Sequence, residues 1–350
     1  MIEPSDWPPA ASLDTLRIRA RLLSAVRSFF DERGYWEVDT PLISQERVID
    51  ANLDPFVAMS EAEARSALKP SRALFLQTSP EFAMKRLLAA GADAIYQLSH
   101  VFRQGELGQL HNPEFTMVEW YRVGDSDLAQ MQVVEELVLA AFTAVREAAI
   151  GREPTLFTPP VSTPPAPFLR TTYRAAFATH AGADLAVMDS QALSVWSRER
   201  ELHPPPGLET DNRDDWLNWL LAELVEPNLG RERPEFVCDY PASQASLARI
   251  RPESPPVAER FELYYHGIEL CNGYHELPDA RELRRRIDDE SNRRSTRGQP
   301  PLPVPERLLN AMESGLPDCA GVALGFDRLF MLALGAHSVH EVLPFSFEQS

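Results

Sequence analysis

Cysteine is nearly absent: Cys238, Cys271 and Cys319 are three in 350 residues, far apart and odd in number. No Cys-x-x-Cys pair occurs, which argues against a zinc site or a disulfide framework. Positive charge is scarce as well, with 34 Lys and Arg against 52 Asp and Glu and a net charge of −18. A surface of that sign repels phosphate backbones, so broad non-specific nucleic-acid binding is not expected. A salt-adapted host would produce the same balance. Apolar runs such as LVLAAFTAV (137–145) are too short to span a bilayer, and no membrane association is expected. The start MIEPSDWPPAASLD has neither the basic region nor the apolar run of a secretory signal, so a reducing cytoplasm is the expected setting. Two phosphate-binding signatures are also missing. There is no Gly-x-x-x-x-Gly-Lys-Ser/Thr loop and no Gly-x-Gly-x-x-Gly after a strand, which removes P-loop and Rossmann nucleotide sites.

What is present suits an ordinary globular enzyme, with 44% apolar and 25% charged residues in a chain long enough for a substantial core. Residues 14–33 carry Ile18, Leu22, Val26, Phe29 and Phe30 at helical spacing, and Gly34 stands where a left-handed cap belongs. YWEVDTPLIS is a short extended segment interrupted by Pro41. Residues 73–78 read as a strand, followed by the helix PEFAMKRLLAAG with Pro80 near its first turn. Residues 94–103 and 115–122 read as paired strands around a loop at 104–114. A helix over about 127–147 has Asp125, Ser126 or Asp127 as its cap. A proline-rich connector (153–168) and a helical insertion (about 169–230) follow, the insertion bearing a Trp216/Trp219/Leu220 face and closed by Pro227. Strand signals return at 260–274 and 321–326, separated by a charged helix over 279–297. This order of elements predicts an α+β fold with a largely antiparallel sheet, in one domain over 1–350.

Three segments carry candidate chemistry. In VFRQGELGQLHNPEFTMVEW, Arg103 has a fork suited to phosphate, His111 adds a donor, Phe115 can stack on a purine, and Glu119 can hold an ammonium or a metal. The same side chains also suit ion pairs and core packing. In RFELYYHGIELCNGYHEL, Glu262, Glu269 and Glu276 recur every seven residues. An odd step alternates faces on a strand, but a turn at YHG can reset the phase and gather the carboxylates around a hard cation such as Mg²⁺. A hairpin with solvated acids is the plainer alternative. In GVALGFDRLFMLALGA, Gly321 and Gly325 permit close backbone approach, and Arg328 stands at a helix start that favours anions or merely snorkels.

Taken together, the order of the three segments resembles the three motifs of class II aminoacyl-tRNA synthetases. FR…HNPEFTMVEWY is similar to their second motif, and TSPEFAMKRLL, GIELCNGYHEL and GVALGFDRL resemble the lysyl branch over about 12–345. The first-motif helix begins by residue 14, which leaves no room for an N-terminal anticodon-binding barrel. In that respect, and in PASQASLARI, the chain resembles the truncated paralogues that join (R)-β-lysine to elongation factor P.

The resemblance implies a ligase that uses ATP and Mg²⁺. Arg103 would grip the α-phosphate, Phe115 and Arg328 would sandwich the adenine, and His111 and Asn112 would help hold the nucleotide. Gln104, Gly105 and Glu106 would form the loop beside it, and Leu270 and Gly325 would line the ATP site. Glu262 and Glu269 would carry Mg²⁺. Ser79, Pro80, Glu81, Tyr121 and Glu276 would line the amino-acid pocket, with Glu119, Asn272 and Ala323 as further candidates. Ser79 stands where lysyl-tRNA synthetases usually have alanine, and Ala323 where glycine is typical. The motif Phe-Arg-x-Glu is broken by Gly105, so either Glu106 or the backbone must make that adenine contact. Implied partners are elongation factor P and a second copy of the chain, without stable tRNA binding. A minimal lysyl-tRNA synthetase acting on α-lysine, or a catalytically silent paralogue, is the rival. The arginines of DARELRRRIDDESNRRSTRG are either a solvated helix face or a docking surface for the acidic partner protein.

Overall fold

The computed structural model describes residues 7–46, 55–59, 74–150, 161–208, 211–296 and 303–349. The chain divides into two compact units: Met1–Asp125, Glu136–Thr163 and Leu277–Ser350 form the first, and Ser126–Glu135 with Pro164–Glu276 the second.

In the first unit, the helix Leu13–Asp31 starts at Ser12, whose side chain accepts from the Thr15 N–H. Its Ile18, Leu22, Val26 and Phe30 are buried at i, i+4 spacing. Phe30 stacks on Tyr96 at 4.7 Å and lies 5.2 Å from Trp120, so this stripe covers one face of the hairpin Ala94–Phe102/Glu114–Val123. Each such side chain taken out of water contributes about 1.5–3 kcal/mol. Gly34 takes φ +76° and ends the helix as expected. Cys319–Gly325 runs antiparallel to Glu114–Val123, and the two-residue strand Trp36–Glu37 is parallel to Ala94–Phe102. A separate small sheet joins Ile43–Ser44, Leu74–Leu76 and Val57–Ala58. The helices Glu81–Ala89, Ala280–Thr296, Glu306–Gly315 and Phe326–Leu334 complete this unit.

In the second unit, Val257–Tyr265 pairs antiparallel with both Ile268–His275 and Glu235–Pro241. The insertion is not wholly helical, because Leu169–Thr172 is a strand parallel to Glu235–Pro241. The helices Tyr173–His180, Ser190–Glu199 and Arg213–Leu220 bury Tyr173, Phe177, Trp196, Trp216 and Leu220 in a core shared with Val237, Tyr240 and Tyr264 of the strands. Pro227 sits inside a final short turn, Glu226–Asn228, rather than after it.

The helix Asp127–Ala149 begins on Ser126, whose Oγ accepts from Ala129 N–H. By length and composition it could cross a bilayer, but Met131, Val134, Val138, Phe142 and Val145 are buried within the protein, as in a core helix. Residues 153–160 of the proline-rich connector, Ala73 and Arg297 lie outside the described residues, and 161–168 carry neither helix nor strand.

Candidate active site

In the first unit, strand alternation turns Phe115, Glu119 and Tyr121 to one face of Glu114–Val123 and Thr116, Val118 and Trp120 to the other. Register places Ala323 directly across from Glu119, and Gly321 across from Tyr121. Glu119 is 1% exposed, and both its oxygens are engaged: Tyr121 OH donates to Oε1 and Ser79 Oγ donates to Oε2, each at 2.7 Å. Ser79 Oγ also accepts from Glu81 N–H at 3.0 Å, which ties the start of the Glu81–Ala89 helix to the same point. Glu81 in turn holds Lys85 Nζ at 2.6 Å, a buried pair one helical turn apart. Burial first, and then the negative charge of Glu81, push the Glu119 carboxyl up to about 7; the hydrogen bonds from Tyr121 and Ser79 and the charge of Lys85 work against this. Near neutral pH the Glu119 carboxyl is thus poised between its two protonation states.

The loop between the hairpin strands forms a second group. Arg103 lies over the Phe115 ring at 5.1 Å, and its Nη1 is 3.6 Å from Glu106 Oε1. Its Nε is buried with no hydrogen-bond partner among the described residues. Gly105 takes φ +84°, a conformation that costs an L-residue roughly 1–2 kcal/mol. The turn therefore disfavours a glutamate at 105 and brings the next carboxylate, Glu106, to Arg103. Arg328 Nε donates to Leu110 O at 3.2 Å, and its Nη2 donates to His111 Nε2 at 2.6 Å. His111 is thus a neutral acceptor, and burial together with Arg328 lowers its pKa. Asn112 is less available than expected, since Nδ2 donates to Glu114 O and Oδ1 accepts from Phe347 N–H. Gln104 is exposed.

In the second unit, the register of Val257–Tyr265 against Ile268–His275 shifts between Leu263 and Tyr264. Leu263 opposes Cys271, whereas Tyr264 opposes Glu269, so Leu270 is an extra residue in the ladder. A ladder continued from the turn without a bulge would set Cys271, not Asn272, across from Glu262. Turn and shift together put Glu262, Glu269, Asn272 and Tyr274 on one face. The turn at His266–Gly267 resets the first seven-residue step, as expected, and the bulge resets the second. Gly273 is dictated by packing, because a Cβ there would meet the Phe261 ring at 2.3 Å.

Glu262 is heavily partnered. Tyr240 and Tyr264 both donate to Oε2 at 2.6 Å, and Arg260 Nη2 pairs with Oε1 at 2.5 Å. A carboxylate offers roughly four lone pairs, so one remains. Glu276 is buried, and Arg249 Nε donates to its backbone oxygen at 2.8 Å. Among the described residues, no group of three or more His, Cys, Asp or Glu is arranged to hold a metal alone. Two hard carboxylates on one face fit Mg²⁺ shared with phosphate oxygens.

The pattern over residues 8–349 matches the family described as tRNA synthetases class II (D, K and N). The chain belongs to the class II tRNA synthetases. Full-length relatives are similar to it: a protein of Pasteurella multocida is 39% identical over 350 residues, covering all of both chains. Proteins of Salmonella paratyphi B and Salmonella schwarzengrund are 42% identical over the same full length. All three are named elongation factor P–(R)-β-lysine ligase.

As a class II synthetase, the chain gathers Ser79, Glu81, Glu119, Tyr121 and Ala323 in one cluster, and Arg103, Glu106 and Phe115 in another. Pro80 caps the Glu81–Ala89 helix, Gly325 precedes the Phe326–Leu334 helix, and Leu270 is the bulge residue. Sequence reasoning missed Lys85, Arg260, Tyr240 and Tyr264. The i, i+4 spacing of Glu81 and Lys85 is a signal that could have exposed the first, and the i±2 spacing of Arg260 and Tyr264 around Glu262 on one strand could have exposed two more; Tyr240 reaches Glu262 only from the neighbouring strand. The arginine-rich helix Ala280–Thr296 resolves toward a paired face: Arg284 bonds Glu306, Arg285 bonds Glu282 and Asp289, Arg286 bonds Glu282, and Arg293 pairs with Glu290. Arg285 first, with Arg286, holds the Glu282 carboxyl down at about 2.

Proposed function

We propose that the chain is an ATP-dependent ligase that activates (R)-β-lysine as its adenylate and transfers it to the ε-amine of a lysine on elongation factor P. The observation that carries this reading is the meeting of Ser79 and Ala323 on Glu119. Both positions depart from the lysyl-tRNA synthetase pattern, and both depart at the same carboxylate. An amino group moved from the α to the β carbon requires a changed pocket at one place, not at two.

In the first step the substrate carboxylate attacks the ATP α-phosphorus, pyrophosphate leaves, and a mixed anhydride remains. No protein nucleophile is needed; alignment and stabilisation of phosphoryl charge are sufficient. Arg103, with its orphaned buried Nε, is assigned the α-phosphate. Phe115 and Arg328 are assigned the two sides of the adenine, and Glu106 the adenine contact that Gly105 cannot make. Ser79, Glu119 and Tyr121 are assigned the β-amino group, and Glu276 the distal ammonium, since a buried carboxylate suits a cationic amine. Glu262 and Glu269 are assigned Mg²⁺, which when bound would neutralise phosphate charge. In the second step the partner's amine attacks the acyl carbon, an amide forms and AMP leaves.

Exposed Trp36, Leu42, Ile43 and Val57 support a second copy as a further partner. Mass spectrometry of elongation factor P after incubation with enzyme, ATP and (R)-β-lysine tests the reading. The expected result is the mass gain of one lysyl group; charging of tRNA with no such gain would overturn it.

A further inference from the structure

Arg19 lies on the Leu13–Asp31 helix, behind the strand that bears Phe115, and its side chain is only 12% exposed. Its Nη1 is 2.6 Å from Asp327 Oδ1, and its Nη2 donates to Thr116 Oγ1 at 3.0 Å. The other Asp327 oxygen, Oδ2, accepts from the Thr116 backbone N–H at 2.7 Å. The Arg19 guanidinium also lies 4.8 Å from the centroid of Phe326. One closed node therefore ties the first helix, the hairpin strand and the start of the Phe326–Leu334 helix, joining segments 97 and 211 residues apart in sequence.

The neighbours of this node matter more than the node itself. Thr116 follows Phe115, and Asp327 precedes Arg328. Strand alternation sends Thr116 toward Arg19 and Phe115 to the opposite face. We propose that Arg19 is a positioning residue for ATP. It acts without touching the nucleotide: by fixing the backbone at 116 and 327, it sets the aim of Phe115 and Arg328. This rests on the reading above that these two residues hold the adenine.

A buried ion pair is a poor means of stabilising a core, because burying two charges costs about as much as their attraction returns. Its advantage lies in geometry. The planar guanidinium bridges a carboxylate and a hydroxyl at once, which an apolar side chain cannot do. Binding groups must be held within about 0.5 Å of their working positions, and a shift of about 1 Å costs on the order of a hundredfold.

The test is ATP–pyrophosphate exchange with (R)-β-lysine on the full chain, with melting temperature recorded for each variant. R19M keeps the stem and loses the fork; its KM for ATP should rise about tenfold to a hundredfold. Its KM for (R)-β-lysine should stay within about twofold. R19K keeps the charge but cannot bridge both partners, and should recover part of the loss. T116V, nearly isosteric, should raise the ATP KM by about threefold without a large change in melting, and it tests the node even if R19M fails to fold. A purely structural role predicts lower melting and fewer active molecules at unchanged ATP KM in R19K and T116V, and that result overturns the proposal. F115A and R328A separate the two readings. If they raise the ATP KM while the Arg19 and Thr116 variants do not, only the positioning role fails. If they too leave it unchanged, the adenine assignment fails and the positioning role falls with it.

Discussion

The Ser79 hydroxyl donates to Glu119 Oε2 at 2.7 Å while accepting from Glu81 N–H. An alanine at 79 could do neither. A hydrogen bond to a charged group contributes about 1.5–3 kcal/mol, so S79A should lower kcat/KM for (R)-β-lysine about tenfold to a hundredfold. The KM for ATP should not change. Pyrophosphate exchange with each substrate varied in turn measures both.

Ala323 stands directly across from Glu119, so its methyl group fills space beside the carboxylate. A323G should shift preference toward α-lysine, lowering the ratio of kcat/KM for (R)-β-lysine over α-lysine by about tenfold, the effect of one misplaced methylene-sized group. The cost in stability should be only about 0.5–1 kcal/mol for a glycine in a strand. An unchanged ratio would show that the pocket floor lies elsewhere.

The Glu119 carboxyl, raised to about 7 from an ordinary 4.5, predicts a pH dependence with a definite sign. The folded protein without substrate holds this proton more tightly than the unfolded chain. Its contribution to stability is therefore fully present below 4.5 and is lost as pH rises through about 7. Substrate binding has the opposite trend, because an ammonium prefers the carboxylate. Affinity for (R)-β-lysine should strengthen as pH rises through about 7, with a proton released near pH 6.5. Calorimetry in two buffers of different ionisation enthalpy would count that proton, and E119Q should abolish its release.

Gly105 holds φ +84° beside the Arg103–Glu106 pair. G105A should strain the loop by about 1–2 kcal/mol and raise the KM for ATP about fivefold to thirtyfold. The KM for the amino acid should hold steady. A wild-type KM for ATP would mean that the loop re-forms without its left-handed turn.

Arg284, Arg285 and Arg286 already have carboxylate partners in their own chain. Reversing all three charges should leave the rate of partner modification within about twofold, with a small loss of melting temperature, as for exposed ion pairs generally. A large fall in that rate, with adenylate formation intact, would restore the helix as a docking surface.

Local periodic signals made much of this legible. The stripe on the first helix, the hairpin at 94–123 and the strand before Arg328 each announce themselves within about thirty residues. Arg103 and Phe115 could be named from a fork and a ring alone. What stayed hidden depends on register and long-range pairing. Leu169–Thr172 is four residues that become a strand only beside a partner more than sixty positions on. Arg19 reads as one polar residue among several on an amphipathic helix until Asp327, far along the chain, is brought to it. The spacing of Glu262, Glu269 and Glu276 was visible, but its parity was settled by a two-residue turn between the first two and one extra residue, Leu270, after them.

That extra residue sets a rule for how this part of the gene can change. Loss of Leu270 would close the bulge and leave Glu269 opposite Tyr264 and Asn272 opposite Glu262, so both keep their facing. A one-residue slip of the pairing beside the His266–Gly267 turn would instead turn Glu269 away from Glu262. The carboxylate pair is thus encoded partly as a count, held in the turn rather than in the strand.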